Sequence, residues 1–531
     1  MQPPGRRRFI GASMIAATGF ATATLGQTPQ DTLKVALAAR SPRTLDPIKS
    51  VQGADSWTHV HVFDTLVAPP PGRFASKPQD FLPVLAEKWE GSEDATRWSF
   101  KLREGVQFHK GYGELTADDV KFTYERLVDP AQSGGFHVFY DNIALVQTDG
   151  KYTVSFALRQ PDPLFLASSV YQSSASIICR KAAQERGQAF ELDPIGSGPY
   201  EFVRIDPAAG VFLKGSDRYF AGRPATPNLQ FQYIIDTTAR TLALLASKVD
   251  MIEAARAPGW IPSIRSRDPK LVLDAVSPGS SFTISMNITK KPFDDLRVRQ
   301  AIMYAIDRDA IAKAMAPISQ RSYGLNPPVF PGGYDAQTIP ADIRYEHDAA
   351  RAKRLLADAG LPNGFSFPAF TSQREDYNAV MLMVQEQLRQ VGINIDLSII
   401  DHTTFQANIR KDSDIMAQRS GAYAPVPTMI FAEQVSSAAE VKSDGTGGSN
   451  YSHYGVAMPG IDALLEQALA EPDFQKRIAL CQLMEQRVLA DLPIIPLCTN
   501  AYVLVRHPRV KLGYEVTSGF AYWPLNRAVV T

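Results

Sequence analysis

Two histidines and a tryptophan lie close together near the start of the chain, in a combination that could bind a metal ion or an aromatic ligand. His59 and His61 are two residues apart. Residues i and i+2 of a helix do not share a face, so a helix here would direct the two imidazoles away from a common ion. This spacing disfavours paired metal ligation. Trp57 could stack on a ligand or pack in the core, and both interpretations stay open.

Residues that could support catalysis lack the spacing that known mechanisms require. The chain contains no Gly-x-Ser-x-Gly motif and no His-Glu-x-x-His motif. Its three cysteines, Cys179, Cys481 and Cys498, form neither a Cys-x-x-Cys motif nor a Cys/His cluster. Cys481 and Cys498 are either bridged or buried free thiols. We therefore predict a protein that is not an enzyme, with no cofactor and no bound metal.

The N-terminal segment predicts export. Arg6-Arg7-Arg8-Phe9-Ile10 is followed by a stretch, residues 9–30, that contains no charged residue, and small residues stand at Ala21-Thr22-Ala23. This pattern predicts a cleavable signal peptide over residues 1–27, of the twin-arginine type, and a periplasmic mature protein. Lys plus Arg and Asp plus Glu are equal at 55 each, so the charge balance does not indicate a nucleic-acid partner.

Strand and helix patterns alternate along the rest of the chain without a repeat. Apolar alternation predicts strands at 33–37, 98–102, 152–158 and 393–400, and apolar periodicity predicts helices at 240–246, 297–305, 311–315 and 380–391. A second mixed region begins at 281–287. Pro and Gly in Ser277-Pro278-Gly279-Ser280 break both patterns and predict a crossing between two lobes. The chain is therefore expected to fold into two mixed α/β lobes.

Five ordered blocks of sequence resemble one known family. They are Leu82–Glu90 with 100–109 and 115–120, Pro194–Phe202, Lys291–Asp295 with 297–301 and 305–308, Ala350–Gly364, and Ile461–Ala468. The first is similar to Pro-x-Leu-Ala-Glu-x-Trp, and the second to Pro-x-Gly-Thr-Gly-Pro-Tyr. In this order and spacing the chain resembles the family 5 extracellular solute-binding proteins, the peptide, opine and nickel group of ABC importers.

The resemblance implies an α/β, two-lobe periplasmic-binding-protein fold of the large, type II or cluster C-like kind. Lobe I would take residues 28–278 and 500–531, with an extra subdomain at 70–185, and lobe II would take 279–499. A small organic ligand would bind between the lobes, and hinge closure of a monomer would present it to an inner-membrane ABC permease. The alternatives are use of the fold as a sensor subunit or chaperone, and binding of a metal chelate.

A glycine-rich run, Gly196-Ser197-Gly198-Pro199, could suggest a phosphate-binding loop. It lacks the Gly-Lys-Ser/Thr ending and the following helix of such a loop. A turn that requires positive φ explains the glycines better.

The segment that corresponds to the ligand-ammonium site of peptide-binding members is Arg419–Thr428. Those members use an Asp there, but no Asp or Glu lies between Ile415 and Ile430. Arg419 would suit a carboxylate through bidentate hydrogen bonds, and Tyr423 would supply an aromatic wall. A solvated or structural Arg419 is the alternative. The sequence therefore favours an acidic or neutral organic ligand, peptide-like or opine-like.

Four further residues are ligand-binding candidates. Trp57 and His59 follow the first strand, where the resemblance implies that the pocket is lined. Phe136 follows the Gly-rich loop Ser133-Gly134-Gly135, and Tyr451 follows a second such stretch at 447–450. Both loops could reach the mouth of the cleft.

Overall fold

The computed structural model describes residues 31–50, 53–412, 415–421, 424–445, 447–517 and 523–531. The predicted signal peptide at 1–27 and the candidate Tyr423 lie outside the described residues.

The described chain alternates strands and helices. Its strands are β1 (Thr32–Leu37), β2 (Val67–Ala68), β3 (Leu82–Pro83), β4 (Ala86–Gly91), β5 (Arg97–Leu102), β6 (Ile143–Asp149), β7 (Thr153–Leu158), β8 (Tyr200–Asp206), β9 (Gly210–Gly215), β10 (Asn228–Tyr233), β11 (Met251–Glu253), β12 (Val272–Met286), β13 (Ser319–Arg321), β14 (Phe365–Ser372), β15 (Ile393–Ile400), β16 (Met416–Gly421), β17 (Ile494–Arg506), β18 (Val510–Lys511) and β19 (Val529–Val530). Its helices are α1 (Ser56–Val62), α2 (Ala117–Val128), α3 (Pro130–Ser133), α4 (Arg180–Arg186), α5 (Thr237–Leu245), α6 (Trp260–Arg267), α7 (Leu296–Ala305), α8 (Arg308–Ala314), α9 (Ala349–Asp358), α10 (Glu375–Arg389), α11 (His402–Ile409), α12 (Pro427–Gln434), α13 (Tyr454–Ala457), α14 (Gly460–Ala470) and α15 (Phe474–Asp491).

Two long antiparallel strands connect the lobes. The largest sheet has the order β16-β12-β17-β11-β1-β10-β9-β8, with β13 also paired to β17. Strands β12 and β17 are 15 and 13 residues long, and they pair with strands of both lobes. The lobes are therefore connected by a shared pair of strands.

The prediction that Pro278 and Gly279 interrupt the strand pattern is wrong. β12 runs through both residues, with a register shift against β17 between Val276 and Ser280. A Cβ on Gly279 would lie 2.1 Å from the backbone nitrogen of Tyr502. Glycine is needed here because the two crossing strands approach closely.

The apolar side chains form three cores. The first contains Val35 and Phe231 of the large sheet together with Phe100 and Phe156 of the four-stranded sheet β4-β5-β7-β6. The second surrounds the crossing strands, helices α5 and α6, and helices α7, α9 and α10. The third contains apolar side chains of α12, α14 and α15. The four-stranded sheet, which falls within the predicted subdomain at 70–185, is therefore packed continuously with the lobe I sheet. The lobe boundaries themselves stay a prediction.

The glycine-rich run at 196–198 has a different cause from the one predicted. Neither Gly196 nor Gly198 has positive φ. A Cβ on Gly196 would lie 2.0 Å from the carbonyl oxygen of Val62, and one on Gly198 would lie 2.6 Å from that of His61. The glycines let this segment lie directly against the end of α1.

The three cysteines are buried free thiols, so Cys481 and Cys498 are not bridged. Burial raises the pKa of Cys179 and Cys498 to about 11 and that of Cys481 to about 12. Such thiols are neutral and unreactive. Among the described residues, no helix is both long enough and apolar enough to cross a membrane.

Candidate functional site

The two halves of the chain face each other where β1 and β11 end. The carboxylate of Glu253, the last residue of β11, accepts a hydrogen bond of 3.0 Å from the backbone N–H of Ala38, just after β1. The same carboxylate acts electrostatically on Arg374, at the start of α10. In α/β sheets, ligands bind outside the carboxyl ends of the strands. This junction is the candidate binding cleft.

Arg419 lies on β16, opposite Thr283 of β12. Its guanidinium forms an ion pair with Glu433 of α12, and its side chain is 13% exposed. Glu433 falls just beyond the acid-free segment, and α12 brings it back against the strand. The positive charge of Arg419 is therefore compensated within its own lobe.

Arg374 is a further candidate site residue, which the sequence patterns did not single out. Its Nε and Nη2 donate to the two carboxylate oxygens of Asp376 at 3.2 and 2.9 Å. Its side chain is 43% exposed, so the guanidinium is accessible to a solute. The available signal was its position directly after the parallel strand β14 and before α10, which is a carboxyl-end position of the kind that binds ligands.

Tyr377 lies beside Arg374 and against the strand that carries Arg419, since its hydroxyl donates to the carbonyl of Ser420 on β16. Burial raises the pKa of its phenol, and the positive charges of Arg374 and Arg419 both act to lower it. The guanidinium carbon of Arg374 is 5.3 Å from the centre of the Tyr377 ring. Tyr377 is 3% exposed and belongs to the second core, so it is buried beside the two arginines and does not itself line the cleft.

Trp57 and Tyr502 link α1 to the crossing strand β17. The indole N–H of Trp57 donates to the Tyr502 hydroxyl at 3.1 Å. Trp57 is only 6% exposed, and its ring packs on Phe231 and Trp523. This environment is that of a core residue, and ligand stacking by Trp57 stays a prediction.

His59 and His61 lie in different environments on α1. His59 is 2% exposed, its ring meets that of Phe63 edge-on, and burial lowers its pKa to about 3. His61 is fully buried, and burial lowers its pKa to about 4. Within the described ranges, no group of three or more His, Cys, Asp or Glu side chains is arranged to hold a metal ion. The structure does not bring His59 and His61 to a common ligand point.

The remaining candidates lie in separate surroundings. Phe136 is on a short 3-10 helix, Gly134–Phe139, and packs partly buried on the first core. Tyr451 is 5% exposed and belongs to the second core. Of the five predicted site residues that the structure describes, only Trp57 and His59 share an element, and Arg419 and Tyr451 fall within the predicted lobe II.

The family model of bacterial extracellular solute-binding proteins, family 5 (middle region), matches residues 80–441. The chain is 30% identical over 434 residues to the dipeptide-binding protein of Escherichia coli strain K12, covering 76% of this chain and 77% of that protein. It is 29% identical over 398 residues to the glutathione-binding protein GsiB of Shigella flexneri serotype 5b, covering 74% of this chain and 75% of that protein.

Solved structures of binding proteins match almost the whole chain. The Agrobacterium tumefaciens protein MoaA in complex with mannopinic acid superposes with a TM-score of 0.80 at 28% identity, covering 94% of this chain and 99% of that one. The Helicobacter pylori protein DppA in complex with the peptide STSA has a TM-score of 0.76 at 24% identity, covering 94% and 98%, and it shows the shared fold.

Proposed function

Because the chain belongs to the bacterial extracellular solute-binding proteins of family 5, we propose that the solute it captures is a peptide-like or opine-like acid. The chain is the substrate-binding component of an ABC importer, which takes up a small solute between two lobes and delivers it to the membrane permease. The Gly-x-Ser-x-Gly and His-Glu-x-x-His motifs that would support an enzymatic role do not occur in the sequence.

The observation that carries the proposal is the pair of arginines beside Tyr377. The guanidinium carbon of Arg374 lies 5.3 Å from the centre of the Tyr377 ring, and the Tyr377 hydroxyl donates to the carbonyl of Ser420, the residue after Arg419. The acids beside them, Asp376 and Glu433, already pair with Arg374 and Arg419. The segment between Ile415 and Ile430 supplies no further carboxylate for a solute ammonium, which is costly to bury without a partner. A planar guanidinium, in contrast, binds a carboxylate through two parallel hydrogen bonds. The exposed Arg374 is the better placed of the two to meet a solute carboxylate.

Proteins to which the chain is similar support an acidic, peptide-like class. They include proteins named for glutathione and for dipeptides, and a structure that holds mannopinic acid. Among these solutes, the arginines favour an acid.

Capture follows from closure around the crossing strands. A solute that contacts both lobes stabilises the closed form in proportion to its differential contacts. We further propose that residues 1–27 direct export by the twin-arginine route and that the mature protein acts as a periplasmic monomer, as the N-terminal sequence indicates.

The test is a calorimetric panel on the purified mature protein, preceded by native mass spectrometry to find any solute that is retained. The panel contains glutathione, mannopinic acid, an unmodified dipeptide, and the same dipeptide with its C-terminal carboxylate amidated. We expect the first two to bind most tightly and the amidated dipeptide to bind weakest. Equal binding of both dipeptides, with no binding of glutathione or mannopinic acid, would overturn the proposal.

A further inference from the structure

Arg477 joins two parts of the chain whose buried side chains belong mainly to different cores. It lies in the first turns of α15, whose Met484 belongs to the third core. Its Nη1 donates to a carboxylate oxygen of Asp162 at 3.1 Å, and its Nη2 donates to the carbonyl of Pro161 at 2.6 Å. Asp162 follows β7, and its neighbour Leu164 belongs to the first core. The ion pair therefore connects the predicted subdomain of lobe I to lobe II.

Each partner is held in place by its own lobe. Arg477 also donates to the carbonyls of Leu469 and Glu471, at 2.7 and 3.0 Å. Asp162 also accepts a hydrogen bond of 2.8 Å from the hydroxyl of Ser168. These bonds would persist with the lobes apart, so both side chains are aimed at each other before closure.

The subdomain must move with lobe I, because their side chains pack in one continuous core. Phe100 and Phe156 of the four-stranded sheet share the first core with Val35 and Phe231 of the large sheet. Opening at the crossing strands β12 and β17 would therefore separate Asp162 from Arg477.

Two ring contacts flank the ion pair across the same boundary. Phe74 and Phe330 meet edge to face with centroids 5.2 Å apart, and Phe330 belongs to the third core. The ammonium of Lys77 lies 5.4 Å from the ring centre of Phe474, the first residue of α15. We call these three contacts, Asp162–Arg477, Phe74–Phe330 and Lys77–Phe474, the latch.

We propose that the latch is how the inserted subdomain controls lobe closure, and that Arg477 sets the closed population without touching the solute. The side chains of Arg477 and Asp162 are 2% and 11% exposed. Removing one partner would leave the other buried and uncompensated in the closed form only, since water solvates it in the open form. The apparent affinity for any solute falls with the closed fraction. The inference rests on solute capture by closure but not on the identity of the solute.

The experiment measures the distance between spin labels on the two sides of the latch in the ligand-free, full mature protein. The labels go on Leu145→Cys and Leu483→Cys, because both leucines are exposed while the native cysteines are buried. We expect the parent to populate a short, closed distance. Arg477→Met should lower the closed-to-open ratio at least about tenfold. A parent that shows only a long distance, or an Arg477→Met protein with an unchanged distribution, would overturn the proposal.

Two further variants separate the ion pair from general damage. Arg389→Met removes an exposed ion pair with Glu386 on α10 and should leave the distances unchanged. Asp162→Asn combined with Arg477→Met leaves no unpaired charge, so it should be more closed than Arg477→Met alone. A double variant that is as open as Arg477→Met would exclude the ion pair as the cause. Because this readout needs no solute, it stays informative even if the acidic-solute proposal fails.

Discussion

The imidazole Nε2 of His61 accepts a hydrogen bond of 2.8 Å from the backbone N–H of Leu525, which lies 464 residues further along the chain. Since the N–H donates, this nitrogen carries no proton, and Nδ1 is the protonated nitrogen that donates to the Trp57 carbonyl at 2.5 Å. Both ring nitrogens are thus committed in the neutral tautomer. A second proton would break the bond that ties the C-terminal segment to α1.

We expect His61 to weaken the fold as the pH falls. Burial lowers its pKa to about 4, whereas the unfolded chain takes up this proton near pH 6.5. Between those values the unfolded state binds more protons, so stability decreases with decreasing pH, by about 2 kcal/mol between pH 7 and pH 5. Urea unfolding of the parent and of His61→Gln at both pH values measures this contribution. Parallel pH dependences in the two proteins would contradict it.

Glu485 should have the opposite effect on the pH dependence of stability: it should destabilise the fold as the pH rises. Its buried carboxyl accepts backbone hydrogen bonds from Leu325 and Asn326 at 2.7 and 3.1 Å, yet burial raises its pKa to about 7. The unfolded chain loses this proton near pH 4.5, so its ionisation favours unfolding as the pH rises from there to 7, by about 2 kcal/mol between pH 5 and pH 7. Urea unfolding of Glu485→Gln at pH 5 and pH 7 should not show this loss of stability. The same pH dependence of stability in the parent and in Glu485→Gln would mean that the carboxyl is already ionised in the folded protein.

Gly279→Ala should be among the more destabilising single substitutions at the crossing. The added Cβ would lie 2.1 Å from the backbone nitrogen of Tyr502, so one crossing strand must move. We expect a loss of about 3 kcal/mol or more, as for severe overpacking. Gly360→Ala is the control: its φ is +80° and no atom lies within 4 Å, so only backbone strain of about 1–2 kcal/mol is added. Thermal unfolding compares the two, and an equal loss would refute the close-approach argument.

Local patterns predicted the elements well where period and turn residues agree. β15 spans Ile393–Ile400 as predicted, because apolar alternation follows directly on Gly392. Helix α10 begins earlier than predicted, at Glu375, because its polar first turn carries no apolar period. The spacing of apolar residues indicates which face of an element is buried. A polar terminal turn has no such spacing, so its inclusion in the helix cannot be predicted this way.

Contacts between distant segments could not be predicted in this way. Glu433 reaches Arg419 only because α12 turns back along β16, and Asp162 meets Arg477 across a separation of 315 residues. The glycines at 196 and 198 indicated a special backbone, but only the packing against α1 distinguishes close approach from positive φ. Such contacts depend on how the elements pack against each other. The apolar periodicity of a single element does not indicate its packing partners.

The cleft arginines should contribute unequally to solute affinity. Arg374 is 43% exposed on its side chain, whereas Arg419 is 13% exposed and paired with Glu433. We therefore expect Arg374→Ala to weaken an acidic solute about 100-fold and Arg419→Ala about tenfold, in line with the loss of a charge-assisted bidentate contact and of a supporting charge. Isothermal calorimetry with the tightest acid of the panel measures both.

The matched control is Arg389→Ala. Arg389 is the last residue of α10, the helix that begins directly after Arg374, and it forms an exposed ion pair with Glu386. The affinity of this variant should equal that of the parent. Arg374→Lys keeps the charge but not the planar fork, so it should recover only part of the loss if the contact is bidentate. Full recovery by lysine would indicate a simple charge effect, and unchanged binding in Arg374→Ala and Arg419→Ala would remove both arginines from the solute site.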